Sequence, residues 1–285
     1  MPLDNTTTYQ HITVQPFAGT MGAEIAGVDL ANLKDEVFAE IKAAWLEQQV
    51  VVFRDQDITP EQQIAFARRF GEIHHHPYMQ GMDDYPDILE IVKEPTDTYT
   101  FGAAWHTDQM FNPKPAMATM LYAKETPSAG GDTMFANMYA AYDALSDGMK
   151  EALKGVNTWC VGGQQAGRAS RYASNPAMAA KVRDPGDLQT ESAHPLLRTH
   201  PETGRTALYV GSHVKSLEGF TEAEAAPIVR YLRDFAVRPE FTCRVRWRPG
   251  TLTLWDNRCV QHYAVPDYNE RRRMHRITIA GDEPF

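Results

Sequence analysis

Between Phe241 and Trp247 the chain alternates without a break: Phe241, Cys243, Val245 and Trp247 are apolar, and Thr242, Arg244 and Arg246 are polar. Successive side chains of a strand leave on opposite faces, so this segment is predicted as a strand with one face buried and the other wet. Pro249-Gly250 then turns the chain, Leu252 and Leu254 open the next strand, and residues 272–280 read as another after a loop rich in Pro, Asp and Asn. Short apolar runs at 50–53, 88–92, 117–122 and 207–210 add further strands.

Helices are fewer. Thr59-Pro60-Glu61-Gln62 offers an N-cap, a proline at the first helical position and a capping-box Gln, and Gly71 follows the periodic Ile64, Phe66, Ala67 and Phe70 as a stop, which predicts a helix over 60–70. Others are predicted over 35–49, on Phe38, Ile41, Trp45 and Leu46, and over 138–154, on Tyr142, Leu145, Met149 and Leu153. A further one starts at the capping box Thr221-Glu222-Ala223-Glu224 and buries Ile228, Leu232 and Phe235. Many short strands with a few covering helices predict a mainly β, α+β protein built on a sandwich or jelly roll, not a doubly wound sheet. No repeat, low-complexity tract or Gly/Ser linker divides the sequence, so residues 1–285 are read as one domain.

Charge and cysteine usage narrow the functional classes. The formal net charge of -9 argues against a general nucleic-acid binder, which relies on Lys and Arg to neutralise phosphates, and against adsorption to anionic lipid. The most apolar stretch, 115–123, is too short for a membrane span, and Met1 to Pro16 has no basic segment leading into an apolar run. Cys160, Cys243 and Cys259 are odd in number and widely spaced, which predicts neither a disulfide framework nor a zinc ribbon and points to the cytoplasm.

His106-Thr107-Asp108 is the most informative group. In extended chain, residues i and i+2 point the same way, so imidazole and carboxylate can converge on one metal ion. His262, in Val260-Gln261-His262-Tyr263, is the candidate third ligand. Two His and one carboxylate on one face of an octahedron leave the opposite positions open, the arrangement of non-haem Fe(II) oxygenases. A bare His-x-Asp is common by chance, and its neighbours are what give it weight.

Trp105-His106-Thr107-Asp108, Gly130-Gly131-Asp132-Thr133, Trp255-Asp256-Asn257-Arg258, Gln261-His262-Tyr263-Ala264, Asp267-Tyr268 and Met274-His275-Arg276 together resemble the blocks of the taurine dioxygenase (TauD/TfdA-like) family, from about Gly27 to Phe285. The resemblance implies a double-stranded β-helix, a cupin-like jelly roll. It implies an Fe(II)- and 2-oxoglutarate-dependent dioxygenase that uses O2, releases succinate and CO2, and hydroxylates a small anionic organic substrate. His106, Asp108 and His262 would hold Fe(II), and the family habit suggests a homodimer or homotetramer.

The far carboxylate of 2-oxoglutarate calls for a fixed guanidinium. Arg271, Arg272 and Arg273 compete. The family pattern Arg-x-Met-His-Arg fits Arg272 to Arg276 when one residue is dropped from the loop after His262, whereas strict counting from His262 favours Arg273. Strand alternation puts Arg272, Met274 and Arg276 on one face, and two arginines facing one pocket suit two anions, so Arg272 is preferred. Thr133 matches the family's hydroxyl donor to the same carboxylate. Arg276 would face the prime substrate, assisted by His76, while His74 and His75 are as readily solvated loop residues.

Departures from the taurine pattern bear on specificity. Gly102 stands where an Asn is expected, Tyr78 is one position early with Met79 in its place, and the aromatic residues expected near 160–163 and 213–215 are replaced by Cys160-Val161-Gly162-Gly163 and His213-Val214-Lys215. Smaller or absent rings predict a wider pocket, better suited to a larger sulfonate, a sulfate ester or a carboxylate such as an aryloxy acid than to taurine. Asp256 is a weak rival metal ligand, with fixing a strand end as its expected role; Tyr209, Tyr231 and Phe235 are expected in the core; His194, His200 and His213 carry no partner pattern. Asp108 argues against a halogenase, which would replace the carboxylate ligand. A non-catalytic jelly-roll module binding a metal or small acid, or less readily a zinc hydrolase, is the alternative reading.

Overall fold

The computed structural model describes residues 7–162, 172–184 and 186–285; Met1, Gly163 and the other residues outside these ranges are not described. The strands are β1 (Thr13–Pro16), β2 (Ala23–Ala26), β3 (Val50–Phe53), β4 (Leu89–Lys93), β5 (Ala118–Glu125), β6 (Thr133–Asn137), β7 (Asn157–Val161), β8 (Glu191–Pro195), β9 (Leu197–Thr199), β10 (Thr206–Leu208), β11 (Val214–Leu217), β12 (Thr242–Val245), β13 (Leu252–Asp256), β14 (Val260–Ala264) and β15 (Arg272–Ile279). The helices are α1 (Asp35–Gln48), α2 (Pro60–Arg68), α3 (Met138–Asp143), α4 (Asp147–Leu153), α5 (Pro176–Ala180) and α6 (Glu222–Ala236).

A seven-stranded sheet runs β1-β2-β3-β13-β5-β15-β4, and a three-stranded sheet runs β12-β6-β14. Together they form the jelly roll, with the mainly β, helix-covered architecture expected from the strand pattern. Among the described residues, every strand pairing is antiparallel except that of β2 with β3.

The large sheet is apolar on both faces, which explains why β3 and β5 read as continuous apolar runs and do not alternate. One face carries Phe53, Met120, Tyr122, Leu254 and Ile277 against α1 and α2. Four rings lock that layer: Phe70 meets Phe38, Trp45 and Phe66 edge-on, with centroids 4.9, 5.5 and 5.4 Å away. The other face turns Leu121, Ala123, Trp255 and Met274 inward against Phe135 of β6. This inner face also carries the chemistry-bearing side chains of β5 and β15.

The predicted helix over 138–154 is two helices. Ser146 accepts a hydrogen bond from the Met149 N–H and so starts α4 afresh, α3 having ended at Asp143 with Ala144 as its C-cap. A local cap breaks a periodicity that would otherwise continue. The alternating stretch 241–247 is paired only over β12, because Pro239–Phe241 forms a 3-10 turn that holds Phe241 outside the sheet. Tyr231 is 45% exposed on α6, unlike Tyr209 and Phe235, and is not a core residue. Among the described residues, no helix is long and apolar enough to cross a membrane.

Candidate metal centre and its two cavities

His106 precedes β5 and pairs with His262 of β14 across an isolated antiparallel bridge, their backbones exchanging N–H···O bonds of 3.1 and 2.8 Å. Directly opposed residues of an antiparallel pair project to the same side, so the two imidazoles emerge together, ring centroids 4.1 Å apart. Asp108, two residues on, follows His106 to that side. Its Oδ1 lies 3.7 Å from Nε2 of His106 and 3.7 Å from Nε2 of His262. The three candidate ligand atoms lie within 4.8 Å of one another.

The protonation states suit a cation. His106 Nδ1–H donates to the Ala104 carbonyl at 2.6 Å, which leaves Nε2 as the lone-pair nitrogen facing Asp108. Burial holds both imidazoles below their ordinary pKa, with each other's presence adding to the effect at His262. Burial alone would raise the Asp108 carboxyl, but Arg276, the two imidazoles and a hydrogen bond from Thr119 outweigh it and keep the group ionised well below the usual carboxylate range. Two neutral nitrogens and one carboxylate oxygen converging in a buried spot form a donor set that fits a divalent first-row metal such as Fe(II).

Arg276 reaches the same oxygen. Its Nη2 lies 2.7 Å from Asp108 Oδ1 without the alignment of a hydrogen bond, so the contact is an ion pair whose N–H bonds aim elsewhere. Arg276 also lines two cavities that meet at the His-Asp-His group. The outer one, about 540 Å³, is walled by Tyr78, Tyr99, Phe101, Phe111 and His213, with His76 at its edge. The inner one, about 40 Å³, is lined by Thr133, Arg272, Leu121 and Trp255.

Alternation along β15 separates the three competing arginines. Arg272, Met274 and Arg276 face inward and are buried. Arg273 lies on the opposite face, 2.9 Å from Glu125, and Arg271 is exposed and pairs with Glu94 and Glu125. Arg272 has no ion-pair partner among the described residues, and its Nε is buried without a hydrogen bond. Burial lowers its pKa and Tyr268 opposes the change. A buried guanidinium without a carboxylate is costly unless an anion joins it.

Thr133 is placed by the Gly130-Gly131 turn. Both glycines have positive φ, and a Cβ on Gly130 would come within 2.7 Å of Asp267. This close approach lets Asp267 accept from the Gly131 N–H, while Asp132 is held by Arg244 at 2.6 Å. The Thr133 hydroxyl accepts from the Trp247 indole at 3.0 Å, leaving its own proton to donate into the inner cavity.

His76 lines the outer cavity beside Arg276, its Nδ1 accepting from the Tyr78 N–H. His74 is not a freely solvated residue: its Nε2 lies 2.5 Å from the Gln109 carboxamide, whereas His75 is exposed and pairs with Asp87. Asp256 commits both carboxylate oxygens to Arg258 and one also to His200, which leaves it no part in the His106 group. The space beside Gly162 is filled from elsewhere, since a Cβ there would meet Tyr78 and Phe111 at 2.8 and 2.9 Å. Sequence reasoning missed Thr119, Trp247 and the wall formed by Tyr99, Phe101 and Phe111. Only Asn257, within the Trp255-Asp256-Asn257-Arg258 block, carried a signal.

The family model of taurine catabolism dioxygenase TauD, TfdA family, matches residues 13–278. The chain is 36% identical over 284 residues to a (S)-phenoxypropionate/alpha-ketoglutarate-dioxygenase of Sphingobium herbicidovorans, covering 94% of this chain and 95% of that one. It is 34% identical over 278 residues to an alpha-ketoglutarate-dependent sulfate ester dioxygenase of Pseudomonas putida, covering 96% and 91%. The crystal structure of a taurine dioxygenase from Burkholderia xenovorans superposes with a TM-score of 0.82 at 33% identity, over 96% of this chain and 91% of that one.

Proposed function

The chain belongs to the TauD/TfdA family and is an Fe(II)- and 2-oxoglutarate-dependent dioxygenase acting on a small organic anion, and we propose that this anion is an aryl-bearing acid, an aryloxy carboxylate first among them. The observation that carries the reading is the outer cavity. It places one guanidinium, Arg276, beside the His-Asp-His group and surrounds the approach with the rings of Tyr78, Tyr99, Phe101 and Phe111. A carboxylate on Arg276 leaves an aromatic body among those rings, where burial of apolar area contributes about 25 cal/mol per Å². A short aliphatic sulfonate would leave most of that wall in contact with water.

We assign His106, Asp108 and His262 to the metal, Arg272 and Thr133 to the far carboxylate of 2-oxoglutarate, and Arg276 with His76 to the substrate anion. When bound, Fe(II) and 2-oxoglutarate supply the O2-dependent oxidation of an unactivated C–H bond, with succinate and CO2 as co-products. The chain's own residues do the rest. His106 and His262 present neutral Nε2 atoms, since burial disfavours their charged forms. Arg272 and Thr133 offer charge and a proton donor from adjacent walls of the inner cavity, orienting a dicarboxylate end to end. Arg276 holds the substrate anion so that its neighbouring carbon sits beside the metal position, and the ring wall excludes water from the reacting carbon.

Hydroxylation of the carbon between an ether oxygen and a carboxylate yields a hemiketal, which expels a phenol and leaves a 2-oxo acid. The test is a screen of both enantiomers of 2-phenoxypropionate, an alkyl sulfate and taurine with the Fe(II)-loaded enzyme, measuring succinate and phenol. Equimolar succinate and phenol from one aryloxy acid is the expected result. Coupled turnover of only the alkyl sulfate or taurine would reassign the substrate class. The buried, free thiols of Cys160, Cys243 and Cys259 support a reducing, cytoplasmic location.

A further inference from the structure

Asp108 is held from behind by a hydrogen-bond chain of fixed polarity. Thr119 lies on the inner face of β5, paired with Trp255 of β13 on one side and Thr278 of β15 on the other. The Trp255 indole N–H donates to Asn257 Oδ1 at 3.0 Å, Asn257 Nδ2 donates to Thr119 Oγ1 at 3.0 Å, and Thr119 Oγ1 donates to Asp108 Oδ2 at 2.5 Å. All four residues are buried. An indole N–H can only donate and an ionised carboxylate can only accept, so neither end of the chain can reverse. The indole also fixes which end of the Asn257 carboxamide is oxygen, and the amide then obliges Thr119 to spend its proton on Asp108.

The two carboxylate oxygens are therefore unequal. Oδ2 is tied to Thr119, and Oδ1 lies 3.7 Å from each imidazole Nε2 and 2.7 Å from Arg276 Nη2. Trp255 contributes twice, because its ring also packs against the His262 ring at a centroid distance of 4.7 Å. We infer that Thr119, polarised by Asn257 and Trp255, is the positioning residue that restricts Asp108 to one coordinating oxygen. A carboxylate free to turn loses this orientation, and the metal must then order it at a cost in affinity. The inference rests on the assignment of His106, Asp108 and His262 to the metal.

Anaerobic titration of the metal-free protein with Co(II), followed by visible d–d absorption, reads metal affinity without turnover. Thr119→Val, which keeps the shape and removes the hydroxyl, is expected to weaken Co(II) binding about 10- to 100-fold, and Thr119→Ser to stay within about twofold of wild type. Thr119→Ala serves in its place if the valine variant does not fold. Asn257→Ala is expected to weaken binding in the wild-type background and to weaken it less in the Thr119→Val background, where only the long 3.4 Å hydrogen bond from the Asp108 N–H to Asn257 Oδ1 is left to lose. Unchanged affinity in a folded, hydroxyl-free variant, or equal effects of Asn257→Ala in both backgrounds, would overturn the inference. Failure of the metal assignment itself looks different: Asp108→Ala would then bind Co(II) as tightly as wild type.

Discussion

His106 and His262, 156 positions apart in the chain, exchange both backbone hydrogen bonds across a single antiparallel bridge, which fixes the direction of their side chains before any ligand arrives. Asp108 meets them because i and i+2 share a side in extended chain. Substituting Ala for any one of the three is expected to lower Fe(II)-dependent succinate formation more than about 100-fold, beyond the usual effect of residues outside the ligand set. Chelation of the wild type should give the same loss, restored by Fe(II) and not by Zn(II). Succinate formation by Asp108→Ala at the wild-type rate would remove the assignment.

Arg272 and Arg273 provide an internal comparison, adjacent in sequence and opposite in surroundings. Arg272→Ala removes a buried charge from the inner cavity and is expected to raise the KM for 2-oxoglutarate about 30-fold or more, since truncating a buried charge pair costs roughly 2–5 kcal/mol. Arg273→Ala breaks a partly exposed pair with Glu125, of the kind that contributes about 0.2–1 kcal/mol, and should leave that KM within about threefold. Steady-state kinetics at saturating substrate settle the pair, and a reversed order would return the role to Arg273.

What the sequence made legible follows from where local rules decide. His106 with Asp108 is an i, i+2 relation, and Arg272 against Arg273 is a parity relation, so both could be read from the strand period. Thr119 could not, because a threonine in the apolar run 115–123 carries no mark of facing a carboxylate; only the fold brings Asp108 to it. The break between α3 and α4 was hidden for the opposite reason, the apolar spacing continuing through Ser146 while the cap intervened. The width of the outer cavity was read from rings missing near 160–163 and 213–215, whereas most of the rings that wall it come from the segment before His106 and from Phe111, with His213 itself on the wall.

Arg276 lines both cavities, but Arg272 and Thr133 are the residues assigned to 2-oxoglutarate, so its removal should act on the substrate more than on 2-oxoglutarate. Arg276→Met keeps much of the volume and is expected to raise the KM for an anionic substrate about 30-fold or more, with the KM for 2-oxoglutarate changed less than about threefold. Succinate formed without substrate oxidation should rise relative to product, which the ratio of succinate to phenol measures. Equal losses in both KM values would show that Arg276 acts through Asp108 alone.

Asp256 tests whether the motif around it is structural. Its carboxylate takes two hydrogen bonds from the Arg258 guanidinium, at 2.9 and 2.7 Å, and one from the Arg258 N–H at 2.9 Å, and lies 3.0 Å from His200 Nε2, with Asp256 and Arg258 both almost fully buried. Burial would raise its pKa, but Arg258 first and then His200 outweigh it and hold the carboxyl well below its ordinary value. The unfolded chain therefore binds a proton at this site at a higher pH than the folded one does. The stabilisation is fully present above about pH 4, the ordinary carboxyl value, and is lost as pH falls below that through the depressed folded value. Asp256→Asn leaves Glu202, at 2.8 Å, as the carboxylate partner of Arg258 among the described residues and is expected to cost about 3–5 kcal/mol at pH 7, as breaking a buried pair does. Urea unfolding at pH 7, 4 and 3 should show the gap between wild type and variant narrowing below pH 4. A gap that is absent at pH 7, or constant down to pH 3, would mean that the pair contributes nothing through its charge.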